Sequence, residues 1–186
     1  MTTKERKIKE LCLKLEKDKK LPLKGDFVFA SGSCQSQIVF IGEAPGTQEI
    51  KLGKPFVGLS GKLLDRSLLE IGLIRDDIYV TNIIKRKLPE NRDPRPEELE
   101  AYRVYLEKEL EIIKPELVVT LGRFALNYFL SEAKISYCQG KVIKLDNFNL
   151  LPVFHPAATF RKKETLLEFK KSFKEIAKLI ERKKEC

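Results

Sequence analysis

Apolar residues recur along this chain with two alternating periods. Ile8, Leu11 and Leu15 are spaced to give an opening helix one apolar face, and QIVFI (37 to 41) is a short continuous apolar run that reads as a buried strand ending at Gly42. A helical pattern follows from about Ser60 to Ile71, and IYVTN (78 to 82) predicts a second strand. Beyond a proline-punctuated loop, Leu99, Tyr102, Leu106, Leu110 and Ile113 define a helix started near Pro96, whose fixed φ suits a first turn. ELVVTLG (116 to 122) predicts a third strand, GRFALNYFL a helix, and LLPVF (150 to 154) a fourth strand running into His155. Leu166, Phe169, Phe173, Ile176 and Ile180 mark a closing amphipathic helix with a lysine-rich outer face. Strands separated by helices imply an α/β fold, a three-layer α/β/α sandwich around a central four-stranded parallel sheet. With no internal repeat and no linker, residues 1 to 186 are expected to form one domain.

That layout says where a ligand would sit. In open α/β sheets it lies beyond the carboxyl ends of the strands. Here those ends deliver GEAPGTQE (42 to 49), TNIIKRKLPENRDP (81 to 94), LGR (121 to 123) and HPAATF (155 to 160) to one rim. Six of the nine prolines, Pro45, Pro55, Pro89, Pro94, Pro96 and Pro156, lie in or beside these segments, as expected of loops that must be stiff. His155, the only histidine of the chain, is therefore expected at the ligand rim rather than in the core.

Composition narrows the classes. The 186 residues are 42% hydrophobic and 34% charged, ordinary for a globular protein. A net charge of +9 favours a polyanionic partner, nucleic acid before others, although lysine-rich proteins carry such a charge for other reasons. No apolar run approaches the roughly 18 residues of a membrane span, and MTTKERKIKE lacks a signal-peptide core, so a cytoplasmic protein without membrane partners is expected. Cys12, Cys34, Cys138 and Cys186 are scattered and form no CxxC pair; Cys12 shares the apolar face of the first helix and reads as core packing. One histidine cannot build a metal cage, and no GxSxG elbow is present.

Five segments, in order, carry a specific resemblance: GEAPGTQE, GKPFVGLSGKLLDR, YVTNIIKRKLPENRDPRPEEL, PELVVTLG and VFHPAATF. Together they resemble the family 4 uracil-DNA glycosylases over about residues 25 to 175. GEAPG alone would suit any phosphate-holding turn, and the motif lacks a Walker lysine, which disfavours a nucleotide hydrolase.

The resemblance implies a uracil-DNA glycosylase of base-excision repair, with uracil-containing DNA as partner and free uracil as product. Such chemistry needs the base flipped from the stack and charge stabilised on a departing uracil anion. His155, matching the family's HP histidine, is then the donor to uracil O2. Asn82 pairs with the base edge, its carbonyl accepting from N3 and its amide donating to O4, a pattern that cytosine reverses. Phe56 matches the aromatic that stacks on the flipped base. Ala44 stands where a larger glycosylase family carries an aspartate, leaving Glu43 and Glu49 to position water, to shape the pocket wall against thymine's methyl, or merely to cap the turn. For DNA, Ser60 and Lys62 open a helix suited to a phosphate, Lys85 and Arg86 begin a basic loop that includes Lys87 and Arg92, and Arg161 follows the histidine loop. Among Ala158, Thr159 and Phe160, Phe160 is the bulkiest wedge for the gap left by the base.

The chain departs from the family in one respect. Family 4 enzymes hold an iron-sulfur cluster on four cysteines, whose positions fall here near Leu15, Asp18, Arg86 and Ala101. A variant with no cluster, no metal and no other cofactor is expected. The basic loop also lacks the histidine found in relatives that bind uracil-DNA covalently, which favours turnover. A monomeric enzyme is expected, against two alternatives: a non-catalytic DNA-binding relative and a glycosylase of broader deaminated-base specificity.

Overall fold

The computed structural model describes residues 1–184, side chains through Glu181; Cys186 lies outside the described residues. Helix α1 (Thr3–Lys17) begins where the Thr2 hydroxyl accepts from the Glu5 amide while the Glu5 carboxylate takes the Thr2 amide, a reciprocal cap. Strands β1 (Ala30–Gly32), β2 (Ile38–Gly42) and β3 (Tyr79–Asn82) flank the short helix α2 (Thr47–Leu52), the helix α3 (Leu59–Leu69) and a 3-10 turn at Arg75–Asp77. Next come α4 (Pro96–Ile113), β4 (Leu117–Leu121), α5 (Arg123–Phe129), the single turn α6 (Ile135–Cys138), β5 (Ile143–Lys144) and β6 (Asn149–Val153). The chain closes with α7 (Pro156–Thr159) and α8 (Lys163–Lys184).

The sheet has six strands in the order β1-β3-β2-β4-β6-β5, rather than the expected four. Its centre, β3-β2-β4-β6, is parallel and consists of the four strands that hydrophobicity marks. The edges β1 and β5 run antiparallel. Three residues, Ala-Ser-Gly, and two residues, Ile-Lys, are too short and too mixed to show a strand period.

Strand alternation divides the core between the two faces of the sheet. Val39 and Ile41 of β2 face Leu11 and Leu15 of α1, Tyr102 and Leu106 of α4, and Leu126 of α5. Phe40 faces the other way, toward Leu64 and Leu68 of α3 and Phe169, Phe173 and Ile176 of α8. Phe40 and Phe173 stack with centroids 6.0 Å apart. Cys12, half-buried, packs against the first of these cores. No helix among the described residues is long and apolar enough to cross a membrane.

One polar network crosses the first core. The Lys85 ammonium donates to Glu109 of α4 and to the Thr81 hydroxyl, and the Tyr79 hydroxyl donates to Glu109 Oε1 at 2.8 Å. Lys85 and Glu109 are both wholly buried. Burial pushes the lysine down and the glutamate up in pKa, and each charge is what keeps the other tolerable there. The pair ties α4 to β3, the strand that ends in Asn82.

Candidate active site

The ends of β2, β3 and β6 meet at a cavity of about 730 Å³ whose walls include Glu43, Phe56, Ser60, Asn82, His155 and Arg161, and the end of β4 reaches the smaller cavity beside it. Gly42 and Asn82 are register partners at the ends of β2 and β3. Two further amides, Ile83 to Gly42 O and Ile84 to Glu43 O, both at 2.9 Å, carry the pairing past the strands and splay the loops at a fixed separation. Glycine is required at position 42, because a Cβ there would overlap Asn82 Oδ1 and the Phe56 ring. Asn82 is 2% exposed, and its Oδ1 has no hydrogen-bond donor among the described residues. Asn82 lines the cavity, and its Oδ1, buried against Gly42, is an acceptor left without a donor.

His155 follows β6 and caps α7, with Pro156 at the first helical position. Its Nδ1 accepts from the Ala157 amide at 3.1 Å. An imidazole that accepts at Nδ1 carries its proton at Nε2, so the ring presents an N–H donor to the cavity. Desolvation depresses its pKa to about 4, partly opposed by the Glu49 carboxylate, so near neutral pH the ring is uncharged. Gly122, at φ +95°, lets the LGR turn close on this residue; a Cβ there would lie 3.1 Å from His155 Cβ. The Phe56 and His155 rings lie 5.9 Å apart.

The two glutamates are not equivalent. Glu49 Oε1 accepts from the Val57 amide at 3.0 Å and the Gly58 amide at 2.8 Å, so this carboxylate is tied to the loop that carries Phe56. Glu43 faces both the main cavity and a neighbouring one of about 350 Å³ that also touches Asp93, Arg123 and His155. Burial, then the Asp93 charge, raise the Glu43 pKa, while Arg123 opposes the shift. Ala44 lines the main cavity beside it without a polar side chain. Phe56 itself sits at φ +53°, a left-handed conformation that costs a bulky residue on the order of 1–3 kcal/mol and must be held by its surroundings.

With this geometry in view, the similarities to known proteins become specific. Residues 29–181 match the model of the uracil DNA glycosylase superfamily. The type-4 uracil-DNA glycosylase of Archaeoglobus fulgidus is 40% identical over 169 residues, 86% of this chain and 85% of that protein. The Sulfurisphaera tokodaii enzyme of the same type is 37% identical over 93% of this chain and 83% of its own length. That of Thermotoga maritima is 38% identical over 75% and 74% respectively. The chain belongs to the type-4 uracil-DNA glycosylase family.

Two of the residues that sequence marks as DNA contacts in this type-4 chain are not on its surface. Lys85 is buried on Glu109, which removes it from any phosphate-binding surface. Arg86 is only 9% exposed, its guanidinium 5.6 Å over the Phe27 ring. The basic run Lys85-Arg86-Lys87 joins a bridge to the segment before β1, through Phe27 with Arg86 and the Val28 amide to Lys85 O, and this draws its first two side chains inward. Arg92 is paired with Glu98. The other expected contacts are on the rim: Ser60 lines the cavity with Lys62 exposed beside it, Arg161 is exposed and lines the cavity, and Phe160 is 59% exposed. Arg123, paired with Asp93 across the rim, was not singled out by sequence, although the LGR strand end points to it.

The four positions implied for a cluster hold no sulfur. Leu15 is core, Asp18 Oδ2 accepts from the Tyr105 hydroxyl at 2.7 Å, Arg86 lies over Phe27, and Ala101 packs against the core. Cys12, Cys34 and Cys138 are free thiols, and no group of three or more His, Cys, Asp or Glu among the described residues is arranged to hold a metal ion. Leucine, arginine and alanine offer no ligand to iron, so these residues do not fit a family 4 cluster.

Proposed function

We propose that the cavity binds a uracil flipped out of DNA and that His155, Asn82, Phe56 and Glu43 carry out its excision. The chain is a uracil-DNA glycosylase, a DNA N-glycosylase of base-excision repair. The observation that carries the assignment of roles is that one cavity is lined by a residue with a free N–H donor and a residue with an unsatisfied acceptor: the neutral His155 ring with its proton at Nε2, and Asn82 with its unpartnered Oδ1.

The bond from C1′ of the deoxyribose to N1 of uracil breaks with its electron pair moving onto the base, where it accumulates at O2. His155 Nε2–H donates a hydrogen bond to that oxygen, and its interaction grows as the negative charge develops. A neutral donor serves here because the ring has only to stabilise the anion. Asn82 Oδ1 accepts from N3–H and its amide donates to O4; cytosine offers an acceptor at N3 and a donor at C4, so both contacts would become repulsive. Phe56 covers one face of the base. Water adds at C1′ and its proton passes to the Glu43 carboxylate, giving the abasic site and a uracil anion; the anion takes a proton from solvent to become free uracil, and Glu43 returns its proton to solvent. Glu49 supports the pocket through the Phe56 loop and takes no proton. Phosphates flanking the flipped nucleotide fall to Ser60, Lys62 and Arg161, and Phe160 fills the gap in the stack.

The same chain works without an iron-sulfur cluster. Supporting that reading, the Tyr105–Asp18 hydrogen bond and the Arg86–Phe27 stack already join α4, the end of α1 and the segment before β1. Anaerobically purified protein should be colourless and free of stoichiometric iron; about four irons per chain would contradict this.

Replacing His155 with alanine should lower single-turnover excision by roughly 10²- to 10³-fold, the scale of a lost oxyanion donor, while affinity for uracil-containing DNA changes less than about threefold. A rate loss matched by equal losses in affinity and melting temperature would make the residue structural. Glu43 sets the acid limb of the profile. Its pKa is raised, so as pH falls its carboxylate is protonated and the rate drops at a pH above the ordinary carboxylate range, whereas His155 stays uncharged down to about 4. Glu43→Gln should excise slowly and at a nearly constant rate from about pH 8 to about pH 5; an unchanged acid limb would remove Glu43 from the proton transfer.

A further inference from the structure

We propose that Arg75, which lies outside the cavity wall, is a positioning residue for excision: it holds the Phe56–Val57 peptide and so sets the ring that covers the base. The inference rests on the stacking role of Phe56 given above.

The peptide plane between Phe56 and Val57 is gripped at both ends. Its carbonyl accepts from Arg75 Nη2 at 2.5 Å, and its N–H donates to Glu49 Oε1 at 3.0 Å. With that peptide plane held, ψ of Phe56 decides where its Cα–Cβ bond points, and so where the ring starts out from the loop. The grip is needed because Phe56 occupies the left-handed region at φ +53°, where a residue with a side chain does not rest unaided. From below, α3 closes on the same carbonyl: a Cβ at Gly61 would collide with Phe56 O, so only glycine lets the helix backbone approach.

Arg75 is itself oriented. Its Nε donates to Asp65 of α3, so the guanidinium spans from the helix to the loop carbonyl with two nitrogens of one rigid fork. Lysine has a single ammonium and cannot hold both partners in that geometry. Arg75 also opens the 3-10 turn that leads directly into β3. The ring-bearing loop and the strand bearing Asn82 are thereby registered to one another from outside the pocket.

The test is a double-mutant cycle read by single-turnover excision of a uracil-containing oligonucleotide. Arg75→Met, which keeps the aliphatic stem and removes the donors, should slow excision about tenfold when Phe56 is present and less than about twofold in a Phe56→Ala background. Arg75→Lys should fall between Arg75→Met and the native protein. Inhibition by free uracil should weaken in Arg75→Met, while affinity for uracil-free DNA should not change. Should Arg75→Met fold poorly, Asp65→Asn leaves the Arg75 donors in place but loosens the fork, and should slow excision only when Phe56 is present. Equal losses with and without the Phe56 ring, or no loss at all, would overturn the positioning role while leaving the stacking assignment intact. Phe56→Ala excising at the native rate would instead overturn the stacking assignment, and the inference with it.

Discussion

A single hydrogen bond, from the Ala157 amide to His155 Nδ1, determines what the site can do. It satisfies a donor at the start of α7 that no helical carbonyl can reach, and in doing so it dictates the ring's tautomer. With Nδ1 occupied as an acceptor, Nε2 must be the donor. Desolvation then removes the alternative of a charged ring, holding the pKa at about 4. The same residue is thus cap, donor and neutral group, and each property follows from where β6 stops and Pro156 starts the next turn.

Around this donor the pocket is a problem of close approach. Asn82, Phe56 and His155 can share one cavity only because the residues behind them lack side chains: Gly42 behind Asn82 and Phe56, Gly122 behind His155, and Gly61 beneath the Phe56 carbonyl. Polar groups then hold what the glycines leave loose. Glu49 and Arg75 take the two ends of one peptide, and the buried Lys85–Glu109 pair anchors the strand that ends in Asn82. Rates of bond cleavage are sensitive to displacements of about 1 Å in such groups, which gives a physical reason for burying charge in a frame that apolar packing would otherwise stabilise as well.

Much of this was legible in the amino-acid order. The four parallel strands and the helices between them follow the hydrophobic runs, and the rim position of His155 follows from strand ends alone. The edge strands were hidden because two or three residues cannot display a period. Lys85 and Arg86 read as DNA contacts because charge suggests solvent, yet Lys85 had a visible partner. Glu109 lies on the apolar face of α4, in line with Tyr102, Leu106 and Ile113, and a carboxylate on that face requires a buried cation. The unequal roles of Glu43 and Glu49 depend on which one meets the Val57 and Gly58 amides, a contact that only the folded loop defines. Arg75 carried no signal, since the contact that matters is with a main-chain carbonyl and its carboxylate partner, Asp65, lies ten residues away on another element.

Because His155 is the only imidazole in the chain, its state is directly observable. Nitrogen NMR of histidine-labelled protein, followed from about pH 8 downward, should show one neutral ring protonated at Nε2, with Nδ1 in the acceptor state, persisting until the pH nears about 4. An imidazolium already formed between about pH 6 and 7, or a ring protonated at Nδ1, would contradict the account of a neutral, pre-oriented donor.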